Sequence, residues 1–200
     1  MKEMKVSIII AFYKNLAALE LIIKALTFQS FRNFEVIIAE DDNSTATKLF
    51  IDNLIKQSEI SIQHVYQTED AGFRKNQILN RAIQISNGEF IIFIDGDCIP
   101  HKHFIKRYTE AADSKTALFG RRVMLSEKLT TLLYETKDLK LLSLWYLITN
   151  KAKGLKYAFG LPVMKQPREI GIYGCNWGLY KQELLAINGY DEDYTTAGVG

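Results

Sequence analysis

The first hundred residues alternate between two periodicities, and that alternation limits the fold more than any other feature of the chain. Short apolar runs rich in β-branched and aromatic residues fall at 6–12, 35–39, 60–66 and 89–94. Between them, residues 16–28, 45–57 and 75–85 carry helical spacing, and in the first of these Leu19, Ile22, Ile23 and Leu26 share one face. Strands alternating with helices predict βαβ units and a parallel sheet covered on both sides. The expected class is α/β with a mostly parallel central sheet and helices on both faces. In such sheets ligands bind beyond the carboxyl ends of the strands. The residues just after each apolar run are therefore the place to look for chemistry.

Those positions are polar and crowded. Tyr13-Lys14-Asn15 follows the first run, Glu40-Asp41-Asp42-Asn43-Ser44 the second, and Asp95-Gly96-Asp97 the fourth. Carboxylates packed together raise one another's pKa, so a cation or a donor-rich ligand would relieve them. The sharpest signal is Phe90-Ile91-Ile92-Phe93-Ile94 leading into Asp95-Gly96-Asp97. A buried strand ending in two carboxylates two residues apart can aim both at one hard cation, with glycine between them permitting close approach. Magnesium and manganese take oxygen ligands, commonly one or two carboxylates plus substrate phosphates. A plain Asp-Gly turn is the competing reading, and it is weaker after a fully apolar strand. Glu40 to Ser44 reads either as acceptors for a base N–H and a ribose hydroxyl, or as a helix start capped by Ser44 or Thr45. Gly72-Phe73-Arg74-Lys75-Asn76 opens the third helix with backbone N–H groups and two cations, suited to a phosphate or to a solvated first turn.

Composition narrows the partners. With 48% apolar and 24% charged residues over 200 positions, the chain reads as one folded unit of ordinary globular composition. A net charge of +2 carried by scattered lysines gives no reason to expect a nucleic-acid partner. The apolar run at 6–12 is too short to cross a membrane, and no small-residue cleavage site follows it. Cys98 and Cys175 lie far apart in sequence and outside any Cys-x-x-Cys spacing. Neither a disulfide framework nor a zinc site is expected, and the compartment is expected to be reducing and cytoplasmic.

The opening Val6-Ser7-Ile8-Ile9-Ile10 with Tyr13, then residues 35–44, resembles the start of the inverting family 2 glycosyltransferases. Residues 88–97 are similar to that family's Asp-x-Asp metal site. Gly174-Cys175-Asn176-Trp177-Gly178 and residues 188–194 are similar to its acceptor-side half, in the version found in galactosyltransferases and chondroitin-polymerase-like enzymes. The resemblance runs from about Lys5 to the last residue, with four motifs in the family's order. It implies a nucleotide-diphospho-sugar transferase (GT-A-like) fold in a single domain, 1–200, with a nucleotide-sugar-binding half at 1–100 and an acceptor-side half at 101–200. It implies a hexose-type transfer with inversion, from a UDP-sugar to a glycan or lipid-linked acceptor in cell-surface polysaccharide synthesis, with Mn2+ or Mg2+. By position, Ala11, Phe12, Tyr13, Glu40, Asp41 and Asp42 would hold uridine, with Arg74 near the nucleotide. Asp95, Gly96 and Asp97 would lie at the diphosphate, the two aspartates at the metal. Asn176 and Trp177 would border the sugar and acceptor.

The sequence departs from the family in three places. Ala11-Phe12 stands where a proline is frequent, and Glu40 stands where an aspartate is usual, so the base-binding acid is either Glu40 or Asp41. In the resembling proteins a loop like 195–200 is followed by Glu-Asp, whose aspartate is the catalytic base, and a later histidine often completes the metal site. This sequence ends at Gly200. The expectation is an acceptor half incomplete at its C-terminal end, with donor binding kept and transfer weak or missing. Asp191, Glu192 and Asp193 are the acids that could act as base. Residues 139–156 combine a dense leucine, tryptophan and tyrosine patch with Lys151, Lys153 and Lys156. They read as a basic amphipathic helix, lying at the inner membrane face near a lipid-linked acceptor, or packing on the sheet or on a second copy of the chain. Competing classes are a non-catalytic nucleotide-sugar-binding fragment and a nucleotidyltransferase. A dehalogenase-type phosphatase would need threonine where Ile99 stands, and a nicotinamide-binding fold would need glycines after the first strand.

Overall fold

Strand β1 (Val6–Phe12) runs between two parallel neighbours, β2 (Phe34–Glu40) and β4 (Phe90–Asp95). Both of its faces lose water, which is why its sequence is continuously apolar instead of alternating. The computed structural model describes residues 4–70, 72–159 and 174–194. Strand β3 (Ile62–Tyr66) extends the parallel side, and β5 (Leu118–Phe119) and β6 (Asn176–Tyr180) complete a six-stranded sheet ordered β3-β2-β1-β4-β6-β5. The last two are antiparallel to their neighbours. The four expected strands and three expected helices are present, displaced by no more than two residues at any end. Helix α1 (Leu16–Thr27) is capped by Asn15, whose side chain accepts from the Ala18 N–H, and α2 (Thr45–Gln57) by Ser44. Helix α3 (Lys75–Ile85) starts without a side-chain cap.

Alternate residues of the sheet feed two cores. On one face Ile8, Ile10, Ile38 and Ile92 pack with Leu19 and Ile22 of α1, Ile51 of α2, and Phe104, Ile105 and Tyr108 of α4 (Phe104–Ala111). On the other, Ile9, Ile37, Ile91 and Phe93 pack with Ile78, Leu79 and Ile83 of α3 and Leu184 of α7 (Lys181–Ala186). Each fully buried aliphatic side chain is worth roughly 1.5–3 kcal/mol. At the amino ends of the strands a buried carboxylate, Glu35, accepts from Ser7 Oγ (2.6 Å), Asn87 N (2.5 Å) and Asn87 Nδ2 (3.1 Å). Burial works to raise its pKa, but those bonds together with Lys5 outweigh it and hold the group below the ordinary glutamate range.

The stretch expected as one amphipathic helix at 139–156 is not one. Helix α5 (Glu127–Thr136) ends at Lys137, which is left-handed (φ 53), and Asp138 and Ser143 are extended. The Asp138 carboxylate caps a single 3-10 turn (Leu139–Leu142) by accepting from the Lys140 N–H at 2.9 Å, and α6 (Leu144–Thr149) follows. Local side-chain capping wins over helix continuation here. Leu129, Leu133, Leu141 and Leu147 from these pieces pack on Leu21 of α1, while Trp145 (72% exposed), Tyr146 and Ile148 stay in solvent. Among the described residues, no helix is long and apolar enough to cross a membrane. The loop at 195–200 lies outside the described residues.

Candidate active site

The sheet reverses its winding between β1 and β4. From β1 the chain proceeds through α1 to β2 and β3 on one side, then returns to place β4 on the other. Connections leaving in opposite directions open a crevice beyond the carboxyl ends at that point. Ala11, Phe12 and Tyr13 line one side of it and Asp95, Gly96 and Asp97 the other. The two sides touch: the Gly96 N–H donates to the Ala11 carbonyl at 2.8 Å. A Cβ at position 96 would stand 2.8 Å from that oxygen and 3.3 Å from Phe12 Cα, so only glycine fits. Phe12 is buried in the core, whereas Tyr13 is exposed. Lys14 reaches from the same loop to Asp70 (2.9 Å) and Asp42 (3.8 Å).

The acids after β2 separate by strand alternation. Glu40 falls on the α1–α2 face, fully buried, with Oε2 2.8 Å from His64 Nε2. Asp41 faces α3, where it accepts from the Arg74 N–H (3.0 Å) and from Gln67 Nε2 (3.2 Å). Burial raises the Asp41 pKa, and these two donors oppose the rise. Asp42 is also buried and accepts from the Asn43 N–H. Arg74 donates its guanidinium to the Glu69 carbonyl. Four buried polar side-chain atoms lack partners among the described residues, and three of them belong to Glu40 (Oε1), Gln67 (Oε1) and Arg74 (Nε). Unpaired buried polar atoms are costly, and those of Gln67 and Arg74, both bonded to Asp41 on the α3 face, mark a place where a polar ligand would complete the bonding.

Asp95 and Asp97 converge with Cys98, all three offering atoms within 4.8 Å of one another. Two carboxylates at this spacing fit a hard divalent cation. The Lys75 ammonium, 2.7 Å from Asp95 Oδ1, already neutralises one of them. The structure further brings Cys175 to this turn. The Asp95 N–H donates to the Cys175 carbonyl and the Cys98 N–H to the Asp95 carbonyl, both at 3.0 Å. The neighbouring Cys98 and Arg122 hold the Cys175 thiol below its ordinary value against desolvation, while the neighbouring Cys175 and burial push Cys98 up. Gln67, Arg122 and the cysteine pair were not assigned roles by sequence reasoning, and Lys75 was read only as one of two cations suited to a phosphate. Lys75 opens α3 beside Arg74, but nothing in the spacing tells which of the two turns toward Asp95. A cavity of about 250 Å3 adjoins Cys175, walled by Arg121, Arg122, Met124, Lys153 and Tyr157.

On the acceptor side, β6 lays Trp177 flat between Phe93 (4.8 Å, 20°) and Phe119 (5.8 Å, 11°), with its Nε1–H donating to Tyr190 Oη at 3.1 Å. Trp177 is partly exposed. Asn176 points to the opposite face and is buried: Oδ1 accepts from the Tyr108 hydroxyl (2.7 Å), and Nδ2 lies 3.7 Å from Cys175 Sγ. Asp191, Glu192 and Asp193 are exposed on a turn docked to α3, where Asn76 donates to the Asp191 carbonyl and Asn80 to Tyr190 and Glu192. Asp191 Oδ1 accepts from the Asp193 N–H.

Comparison with known proteins agrees with this geometry. The family model described as Glycosyl transferase family 2 matches residues 7–179. The chain is 30% identical over 93 residues to the GalNAc(5)-diNAcBac-PP-undecaprenol beta-1,3-glucosyltransferase of Campylobacter jejuni, covering 46% of this chain and 29% of that protein. In fold it is similar to the mannosyltransferase PcManGT from Pyrobaculum calidifontis, solved with GDP-Man and Mn2+, at a TM-score of 0.65 and 14% identity, covering 96% of this chain and 49% of that one. It is also similar to residues 1-349 of S. aureus TarS solved with UDP, at a TM-score of 0.62 and 16% identity, covering 97% and 52%. The chain thus spans less than a third of the curated relative and about half of the solved ones.

Proposed function

The chain belongs to glycosyl transferase family 2, and from that premise we propose that it takes part in an inverting transfer of a hexose-type sugar from a UDP-sugar to a glycan or lipid-linked acceptor. The observation that carries the proposal is the start of α3 standing between two sets of carboxylates: the Arg74 N–H donates to Asp41, and Lys75 pairs with Asp95 of the Asp95–Asp97 turn. In this reading Asp41 holds the base N–H, Gln67 and Arg74 take up the polar edge of the nucleoside, and Tyr13 covers it. Asp95 and Asp97 hold Mn2+ or Mg2+, which when bound neutralises charge on the departing diphosphate. Lys75, freed from Asp95, supplies a second positive charge to the same phosphates. Trp177 borders the sugar ring with its partly exposed edge. An inverting displacement needs a base at the acceptor hydroxyl, opposite the leaving group. Asp191 and Asp193 are the acids of this chain proposed for that role.

The relative from Campylobacter jejuni is named for a polyprenol-diphosphate-linked acceptor. Two features suit such an acceptor: the cationic cavity beside Cys175, and the exposed Trp145, Tyr146 and Ile148 that would rest in the inner membrane face. Polysaccharide synthesis from the cytoplasmic side is the setting this implies.

Thermal melts with UDP, GDP and a panel of UDP-sugars, each with and without Mn2+, test the donor site. A ligand at about a hundred times its Kd adds roughly 2.7 kcal/mol of stability. The expected result is a UDP shift that needs Mn2+ and is lost in Asp95→Ala and Asp97→Ala. A larger shift with GDP would replace the uridine reading. A UDP shift indifferent to Mn2+ and to both aspartates would remove the metal.

A further inference from the structure

We propose that the acceptor is a single sugar carrying a diphosphate, with Arg122 and Lys153 holding the phosphates and Phe119 the sugar ring. The proposal rests on the donor reading above, to which it adds the acceptor's charge, its length and the residues that read both.

Strand register places these groups. Phe93, Trp177 and Phe119 lie in one row across β4, β6 and β5. The ladder runs on toward the crevice, with the Asp95 N–H donating to the Cys175 carbonyl and the Gly120 N–H to the Asn176 carbonyl, both at 3.0 Å. Carried two residues along each strand, the same register makes Asp95, Cys175 and Arg121 the next row on that face. An aromatic row therefore stands behind a charged one. Phe119 stacks on Trp177 and is 41% exposed. Strand β5 is the last of the sheet, so no further strand covers the far side of the ring. A flat, exposed aromatic ring suits the apolar face of a sugar.

Just past Phe119 the chain enters the cavity of about 250 Å3 beside Cys175. An antiparallel bridge between Met124 and Lys153, with each N–H donating across it at 2.9 Å, fixes Lys153 beside residues 122–124. Gly154 is left-handed at φ 77, and a Cβ there would stand 3.2 Å from both the Arg122 carbonyl oxygen and Tyr157 Cδ2. Its lack of a side chain lets Tyr157 close the wall against Arg122. Arg121, Arg122 and Lys153 line the space, and no acidic side chain does among the described residues. Like charges gathered in a concave site draw in an anion, and the arginine fork matches phosphate oxygens.

Strand spacing sets the length. Neighbouring strands lie about 4.8 Å apart, so the Arg121 backbone stands about 10 Å from that of Asp95, with Cys175 between them. Two sugar rings fill such an interval, the one leaving the donor diphosphate and the one receiving it. In the transfer the receiving hydroxyl oxygen bonds to the donor's anomeric carbon. The bond from that carbon to UDP breaks with its electron pair, and the hydroxyl proton passes to the base. The acceptor's own diphosphate keeps its bonds and stays in the cavity.

Calorimetry on the whole chain with inorganic diphosphate in EDTA reads the cavity without the metal. Wild type should bind, and Arg122→Met and Lys153→Met should each bind roughly tenfold more weakly. Asp97→Ala should bind at least as tightly as wild type. No binding by wild type, or equal binding in the Arg122 and Lys153 variants, overturns the proposal. Octyl esters of glucosyl, galactosyl and N-acetylglucosaminyl 1-diphosphate, set against octyl diphosphate, read the sugar. One of them should bind more tightly than octyl diphosphate, and Phe119→Ala should abolish that advantage while still binding inorganic diphosphate as wild type does. An advantage that survives Phe119→Ala overturns the role of the ring, and one that grows with a second sugar overturns the length. Phosphatidylglycerol vesicles that displace the diphosphate would give the cavity to a membrane lipid instead. A chain that binds diphosphate here but shows no melting shift with UDP and Mn2+ fails the donor reading, and the cavity then keeps its anion and loses its acceptor role.

Discussion

Replacing Gly96 by alanine tests whether the carboxylate turn is locked against β1. The added methyl would stand 2.8 Å from the Ala11 carbonyl oxygen and 3.3 Å from Phe12 Cα, where ordinary contact begins near 3.4 Å. Both atoms are backbone of a strand paired on both edges, so neither yields, and the turn has to lift. Lifting stretches the 2.8 Å bond from the Gly96 N–H to Ala11. Overpacking of this kind costs about 1–3 kcal/mol, and a lost hydrogen bond about 0.5–1.5 kcal/mol. Together they amount to about 2–4 kcal/mol, which in a chain of this size lowers Tm by about 4–16 °C. Gly174→Ala is the control, since among the described residues nothing lies within 4 Å of a Cβ there and its effect should stay within about 0.5 kcal/mol. Urea titration and thermal melting measure both variants, and the UDP shift with Mn2+ should vanish in Gly96→Ala at temperatures where it is still folded. A Gly96→Ala protein melting within about 2 °C of wild type would refute the reasoning, because the turn would then not be held by β1.

Other perturbations address the rest of the site and its support. Lys75→Met removes the ammonium from Asp95 and should tighten Mn2+ binding in the absence of nucleotide by roughly two- to fivefold, measured by calorimetry. Weaker binding would mean that Lys75 organises the site instead of competing for it. Tyr108→Phe leaves Asn176 Oδ1 buried without its donor and should cost about 1–3 kcal/mol in urea unfolding; a neutral result would show that another donor reaches it. The folded Glu35 pKa is depressed, so its contribution is present above the unfolded value of about 4.3 and is lost as pH falls through the lower folded value. The stability gap between wild type and Glu35→Gln should therefore be largest near neutrality and close below about pH 4; a gap constant from pH 7 to 3 would place the effect in packing. Neutralising Lys151, Lys153 and Lys156 should release the chain from anionic vesicles in a sedimentation assay, and wild-type protein that never sediments would dismiss membrane contact.

The parallel half was legible because its inner strands β1, β2 and β4 are buried on two faces and each helix on one, so the code is local and repeats. The Asp95-Gly96-Asp97 turn was legible for the same reason, being the end of one such strand. The antiparallel half was not. Strand β5 has two residues, and β6 is recruited to β4 from far along the chain, so no period announces either. Residues 139–156 misled because apolar density was read as continuity, while Asp138 and Ser143 interrupt the helix by backbone choices that hydropathy does not record. The acid pair Glu40 and Asp41 is separated only by strand alternation at the very end of β2. The approach of Cys175 to the Asp95 turn depends on register across the sheet, which spacing along the chain does not record.

The aromatic stack at β6 also makes the molecule its own optical instrument. The chain holds two tryptophans, and they sit in opposite surroundings. Trp145 is 72% exposed on the face remote from the sheet, and Trp177 is sandwiched between Phe93 and Phe119 with its N–H bonded to Tyr190. Aqueous iodide should quench the first more strongly than the second, which is only partly exposed. A Trp145→Phe chain then emits from the end of the crevice alone, so a change in its emission reports events there without any attached dye. The Trp177→Phe chain reports instead on whatever the outer face of α6 touches.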